Sequence, residues 1–369
     1  MNNVTVEVDG TRFTGWKRVT VTKSLDNMCG TFSFTASAVV GKPFPIQQRT
    51  QCKIIINDVS VINGWVEKIS VQLESDEHEV TISGRDRTND VIDSQLSQKI
   101  EFNPPITLTQ LVEKVLSELH LDDIKVIDNH NLKTFKDIAA ESVGITAFDF
   151  IEKYAKKAAV MLTTDGFGNI VFQRSTLDLL NTVLSTKRDA RGQILNSSVV
   201  YDDTKRFNFY NVSSSKSAAS LHVFDKESSP KQMAHVTGSA TDSEIRNSRI
   251  YYFQSDDTQE DTQTADRAKW EANFRKSNAR VYTCTVQGFT PTDDQDKIWQ
   301  PNYLVHVIDE FADVNAQLLI VEVTYTQSLD EGSKATLKLM QKESFTLQVE
   351  TPIKDKKANN YGKNTFGAG

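Results

Sequence analysis

Cysteine is scarce in this chain: three residues in 369, Cys29, Cys52 and Cys284, odd in number and far apart. That spacing fits neither a disulfide framework nor a CxxC metal or redox motif, and it points to assembly in a reducing compartment. Cys52 and Cys284 fall in strand-like runs, where a free thiol is expected to be buried and inert. Long apolar runs are missing as well. No stretch approaches the roughly 18 residues of a membrane span. The opening MNNVTVEVDG has no basic start and no apolar core, so no secretion signal and no membrane insertion are expected. Positive charge is in deficit, with 42 Lys and Arg against 49 Asp and Glu. A net charge of −7 without a basic stripe repels phosphate backbones, and specific nucleic-acid binding is not expected. The six histidines, His78, His120, His130, His222, His235 and His306, show no metal-ligand spacing, and His120 ends a helical pattern, where a cation suits the dipole. Neither a metal nor a cofactor is implied.

What is present is a folding composition, 38% apolar and 25% charged, on a chain longer than one ordinary core. From Val4 to Arg85 the period is two: VTVEV, RVTVT, TFSFTAS, CKIII, WVEKISVQL and EVTIS, punctuated by DG, ND and ESDE turns. This predicts a small antiparallel β domain over residues 1–86. Gly64 admits a hairpin turn with Asn63 or a bend within a long strand; the bend is preferred, because Asn57-Asp58 already supplies a turn.

Over residues 87–185 the pattern turns helical and α/β. Leu108, Leu111, Val112, Val115, Leu116 and Leu119 share one face behind a Thr107/Gln110 capping box. A second helix follows Thr146, with Phe150, Ile151, Tyr154, Ala155 and Ala158 as its stripe, and then the hairpin MLTTDGFGNIVFQR. Its GFGN lies between strands rather than opening a helix, so it reads as a turn and not as a phosphate loop. Period two returns over residues 186–346, interrupted at about 228–280 by a loop and a charged helix in which Trp270 and Phe274 are i,i+4 neighbours. Residues 347–369, rich in Gly, Asn and Lys, read as a flexible tail.

QCKIII, GWVEKISVQL, an acidic turn and EVTIS are echoed by YLVHVID, QLLIVEVTYTQ, SLDEG and ATLKLM. Alternation with acidic turns is common in antiparallel sheets, so this pattern leaves duplication and coincidence both open. More specific is GWVEKISVQL, an acidic turn, EVTISGRDRTNDVID and a capped helix, together with ITAFDFIEKYAKKAAVMLTTDGFGNIVFQR and ADRAKWEANFRKSNARVYTCTVQGF. These resemble the phage Mu-type baseplate hub proteins of contractile tails, related to late control protein D and the amino-terminal part of VgrG spikes. The resemblance implies an α+β, β-rich fold: two similar antiparallel β-barrels joined by smaller α/β domains, in a ring-forming homotrimer. It implies a virion location with host-cytoplasmic assembly, and as partners the tail tube protein, other baseplate proteins and a spike that is a separate chain. No catalytic residue is carried over.

Arg85, Asp86, Arg87 and Asp90 carry both signs at a strand end, read as a salt-bridged barrel exit and as candidate subunit contacts. Lys354, Lys356, Lys357, Tyr361 and Phe366 are the candidate partner-docking residues of the tail. The acids Asp256, Asp257, Glu260 and Asp261 read as a solvated helix start. The serines of SSSKS lack a nucleophile elbow. A tail-borne glycan hydrolase would need two carboxylates about 5 to 9.5 Å apart in an aromatic-lined cleft. A glycan-binding module would need clustered exposed aromatics, whereas Trp16, Trp65, Trp270 and Trp299 are scattered.

Overall fold

The computed structural model describes residues 3–37, 44–73, 78–130, 132, 134–135, 138, 144–158, 160–175, 178–215, 235–254 and 261–345. The first β unit comprises β1 (Val4–Val8), β2 (Thr11–Phe13), β3 (Arg18–Ser24), β4 (Thr31–Ser37), β5 (Gln51–Ile56), β6 (Val59–Leu73) and β7 (His78–Asp86). Asn57 and Asp58, at φ 48° and 65°, make the primed turn that matches the twist of a β-hairpin, so β5 turns there into β6. Gly64 therefore lies inside the long strand, as the preferred reading expects.

Between the β units sit α1 (Asn89–Asp93), α2 (Leu108–Glu118), β8 (Val126–Asp128), α3 (Ala147–Lys157), β9 (Met161–Thr164) and β10 (Ile170–Gln173). The Thr107 hydroxyl accepts from Gln110 N, and the Gln110 side chain accepts from Thr107 N, which starts α2 where the capping box predicts. Both helices bury their stripes, Leu111, Val112 and Val115 meeting Phe150, Ile151 and Tyr154 in a core separate from that of the barrels.

The second β unit comprises β11 (Leu179–Ser185), β12 (Gly192–Tyr201), β16 (Arg280–Gln287), β17 (Leu304–Asp309), β18 (Val314–Ser328) and β19 (Gly332–Met340). These six strands close in the order β11-β12-β16-β19-β18-β17, with β17 paired back to β11. β11 departs from the antiparallel expectation, since it runs parallel to both neighbours. Because those ladders belong to the barrel, β11 joins the second unit, and the boundary set at 185 falls before Leu179 instead.

The strand order of the first unit is the same. β1-β5-β6-β7-β4-β3 matches β11-β17-β18-β19-β16-β12 pair for pair, with β2 as an addition at its edge. The last three strands even share lengths of 6, 15 and 9 residues. A hydroxyl pair repeats too: Thr35 and Thr81 are 3.0 Å apart on β4 and β7, and Thr285 and Thr336 are 3.1 Å apart on β16 and β19. The first unit is not hydrogen-bonded shut, since among the described residues no ladder joins β2 to β3. The outer side of β3 pairs instead with β18, from Arg18 opposite Ser328 to Ser24 opposite Glu322, so the two barrels share one sheet and one apolar core.

Between β12 and β16 the chain leaves the barrel to form β13 (Phe209–Ser215), β14 (His235–Thr241), β15 (Ile250–Gln254) and α4 (Asp261–Asn278). The three strands make their own sheet in the order β14-β13-β15. The insertion thus begins near Asp202, whose N–H donates to the Ala279 carbonyl at 2.8 Å, rather than near 228. Alternation in FYNVSSS shows a strand but not the sheet that holds it, which is why the sequence places the start too late.

Candidate assembly surface

The run after β7 is built by strand alternation. Val80, Ile82 and Asp86 point inward and Arg85 outward. Arg85 grips Glu67 through two bonds of 2.9 and 2.8 Å and reaches Asp93 at 2.8 Å, which holds its guanidinium more firmly protonated than usual. Arg87 pairs with Asp123. Asp90 has its carboxyl raised by burial and by Glu67 and Asp93 nearby. Asp86 is fully buried, its Oδ1 accepting from the Thr88 N–H at 3.1 Å and the Thr88 hydroxyl at 3.0 Å, and burial raises its pKa. As a surface contact Asp86 is therefore corrected: the alternation that exposes Arg85 turns its neighbour into the core. Arg85 and Arg87 spend their charge on Glu67, Asp93 and Asp123 of the same chain, which locks β7 to β6 and to the α/β domain.

That lock continues through the GFGN turn. Asp165 accepts from the N–H groups of Phe167 and Asn169 at 2.8 and 3.1 Å, while Gly166 and Gly168 take φ of 80° and 83°. The turn lies on β6, where the Ser60 hydroxyl donates to the Gly166 carbonyl and the Asn63 amide to the Phe167 carbonyl. Lys23 donates to the Thr164 carbonyl at 3.3 Å, and burial lowers its pKa despite Asp86 and Asp165 nearby. A cleft of about 120 Å³ opens here between both barrels and the hairpin, lined by Lys23, Gly30, Thr164, Gln173 and Asn302.

Two anchors escaped the sequence reading. Asp294 accepts from Asn181 and from the N–H and hydroxyl of Thr182, tying the 288–303 loop to β11. Arg206, 3% exposed, binds Asp203, Asp242 and Glu244 and fixes the inserted sheet. Neither has a motif, because Thr182 lies 112 residues from Asp294, and Asp242 and Glu244 lie 36 and 38 residues from Arg206. Trp16 and Trp299 are buried barrel residues, and Trp270 stacks on Phe274 at 5.0 Å. Among the described residues no group of three His, Cys, Asp or Glu is placed to hold a metal. Asp261 opens α4, while Asp256, Asp257, Glu260 and the tail candidates Lys354, Lys356, Lys357, Tyr361 and Phe366 lie outside the described residues.

Two stretches of the chain match known families, one spanning the first barrel and the other α4 with four strands of the second barrel. Residues 3–86 match the N-terminal domain of the Mu phage baseplate assembly protein GpP-like family, and residues 260–348 match the fourth domain of Mu phage baseplate assembly protein GpP. Both stretches are similar to domains of Mu-type baseplate assembly proteins. The chain is 24% identical over 361 residues to baseplate hub protein gp44 of Escherichia phage Mu, covering 96% of this chain and 92% of that one. The 43 kDa tail protein of prophage MuSo2 from Shewanella oneidensis shares its fold, with a TM-score of 0.78, 24% identity and coverage of 94% and 100%. A tail protein from Neisseria meningitidis does so with a TM-score of 0.75, 18% identity and coverage of 94% and 98%. The first matched stretch holds all of β1–β7, and the second holds β16–β19, the four strands that answer to β4–β7 in the shared order.

Proposed function

We propose that this baseplate protein is the trimeric hub that joins a sixfold tail tube to a threefold spike and supports baseplate assembly, without catalysing a reaction. The observation that carries this reading is the pair of barrels with one strand order in a single chain. A closed interface must match patches under one symmetry operator. Three copies of a two-barrel chain present six similar faces to a sixfold partner while keeping a threefold axis for a spike. The β3–β18 ladder makes each chain a rigid third of such a ring, suited to transmitting load.

Light scattering tests it: a mass of three times 41.5 kDa is expected, and a single-chain mass at every concentration, with no capture by tube or spike proteins, overturns it. Clearing of a peptidoglycan suspension by the purified protein would overturn the non-enzymatic part. Removal of residues 347–369 is expected to leave the melting temperature unchanged and to weaken spike attachment.

A further inference from the structure

The seam within the chain is a template for a seam between chains. β17 accompanies β18 only as far as Leu319, and from Glu322 to Ser328 the same side of β18 is taken by β3. β6 is built alike. β5 accompanies it to Trp65, and Val66 still bonds to Arg49 and Thr50, but among the described residues no strand follows on that side along Lys68–Val71. β12 is the counterpart of β3. It pairs with β16 along Asn196–Tyr201, whereas β11 holds its other side only at Gly192 and Gln193. Among the described residues each chain therefore leaves a β6 edge and a β12 edge open, placed as the two halves of the β3–β18 seam. Both expose apolar side chains, with Val71 72% and Tyr201 59% accessible. A strand edge of this kind invites another strand.

We propose that β6 of one copy pairs antiparallel with β12 of the next, in the register of the internal seam; the inference rests on the trimeric reading above. The bulge at Val66/Lys68 aligns β6 with β18, whose bulge lies at Ile320/Glu322, and the repeated threonine pairs align β4 with β16. The ladders then align β3 with β12. In the internal seam Val323 faces Lys23, Thr324 faces Thr22 and Tyr325 faces Val21. Carried across, these put Ile69 opposite Tyr201, Ser70 opposite Val200 and Val71 opposite Val199, with Lys68 opposite Asp202. Ile69 with Tyr201 and Val71 with Val199 put apolar groups together, Ser70 takes the place that Thr324 has in the internal seam, and a cation meets an anion. The two edges belong to different strands, so the contact is head to tail and three such seams with three internal ones close a ring.

Full-length variants Val71→Cys/Val199→Cys and Ser70→Cys/Val200→Cys test the register. Adjacent antiparallel pairs alternate between Cα separations of about 4.5 and 5.5 Å, so at least one suits a disulfide. The native thiols are buried. Mild oxidation is expected to yield a covalent trimer from at least one variant, and from the off-register Val71→Cys/Ser197→Cys below about one tenth of that yield. A three-chain mass by light scattering without cross-linking in either in-register variant overturns the seam and leaves the trimer standing. A single-chain mass at all concentrations overturns both.

Discussion

Gly64 on β6 lies against the carbonyl oxygen of Arg85 on β7, so close that a Cβ at position 64 would sit 1.9 Å from it. Gly84, one step along, has the same relation to the Trp65 carbonyl, also at 1.9 Å. The two glycines let β6 and β7 cross tightly beside the bulge at Val66/Lys68, the point where β6 leaves β5 behind. Gly64→Ala is expected to cost roughly 3 kcal/mol, because neither backbone can retreat without breaking the ladder. Urea unfolding of the variant measures this; a loss within error of zero would show that the strands can separate freely there.

Arg206 ties the inserted sheet to its own loop, and its partner Asp242 is almost as buried. Arg206→Ala leaves that carboxylate unpaired and is expected to destabilise the insertion by about 3 kcal/mol. Amide exchange should speed up in β13, β14 and β15 and stay slow in β16 and β19. Equal loss of protection in the barrel would show that the insertion does not unfold by itself.

Glu244 ties Lys276 of α4 to Arg206, and these two cations lower its pKa to about 2. A carboxylate whose pKa is depressed by folding stabilises above its unfolded value, and that contribution is lost as pH falls from about 4.5 toward 2. The melting temperature should drop across that window. In Glu244→Gln the drop should be shallower; an unchanged acid profile would assign the loss to other carboxylates.

Cys29, Cys52 and Cys284 are buried, and burial pushes each thiol up to about 12. At pH 8 the thiolate is then on the order of 10⁻⁴ of each thiol, so a disulfide reagent should find none in the native protein and all three after denaturation. Rapid labelling of the native chain would mean that a barrel opens readily.

The local features were legible because their causes are local. The Thr107 capping box, the stripes of α2 and α3 and the Asn57-Asp58 turn each depend on residues within about two helical turns or one hairpin. The mixed charge of GRDRTND marks a salt-bridged strand exit, and Arg85 and Arg87 form ion pairs there. Asp86 was misplaced because a mixed-charge run hides the inward step of strand alternation.

By itself the sequence determined the alternation of β and α/β segments, the capped helices, the turns, and a repeated strand–turn–strand pattern whose residues resemble a hub family. Each of these is set by side-chain periodicity or by the backbone preference of a few adjacent residues. Tertiary structure alone decided which strands pair. It placed β11 parallel in the second barrel, withdrew β13 from that barrel into the insertion, and joined β3 to β18 across some 300 residues. Such pairings depend on which edge remains unmatched once the nearer strands have found their partners, and no single segment carries that information.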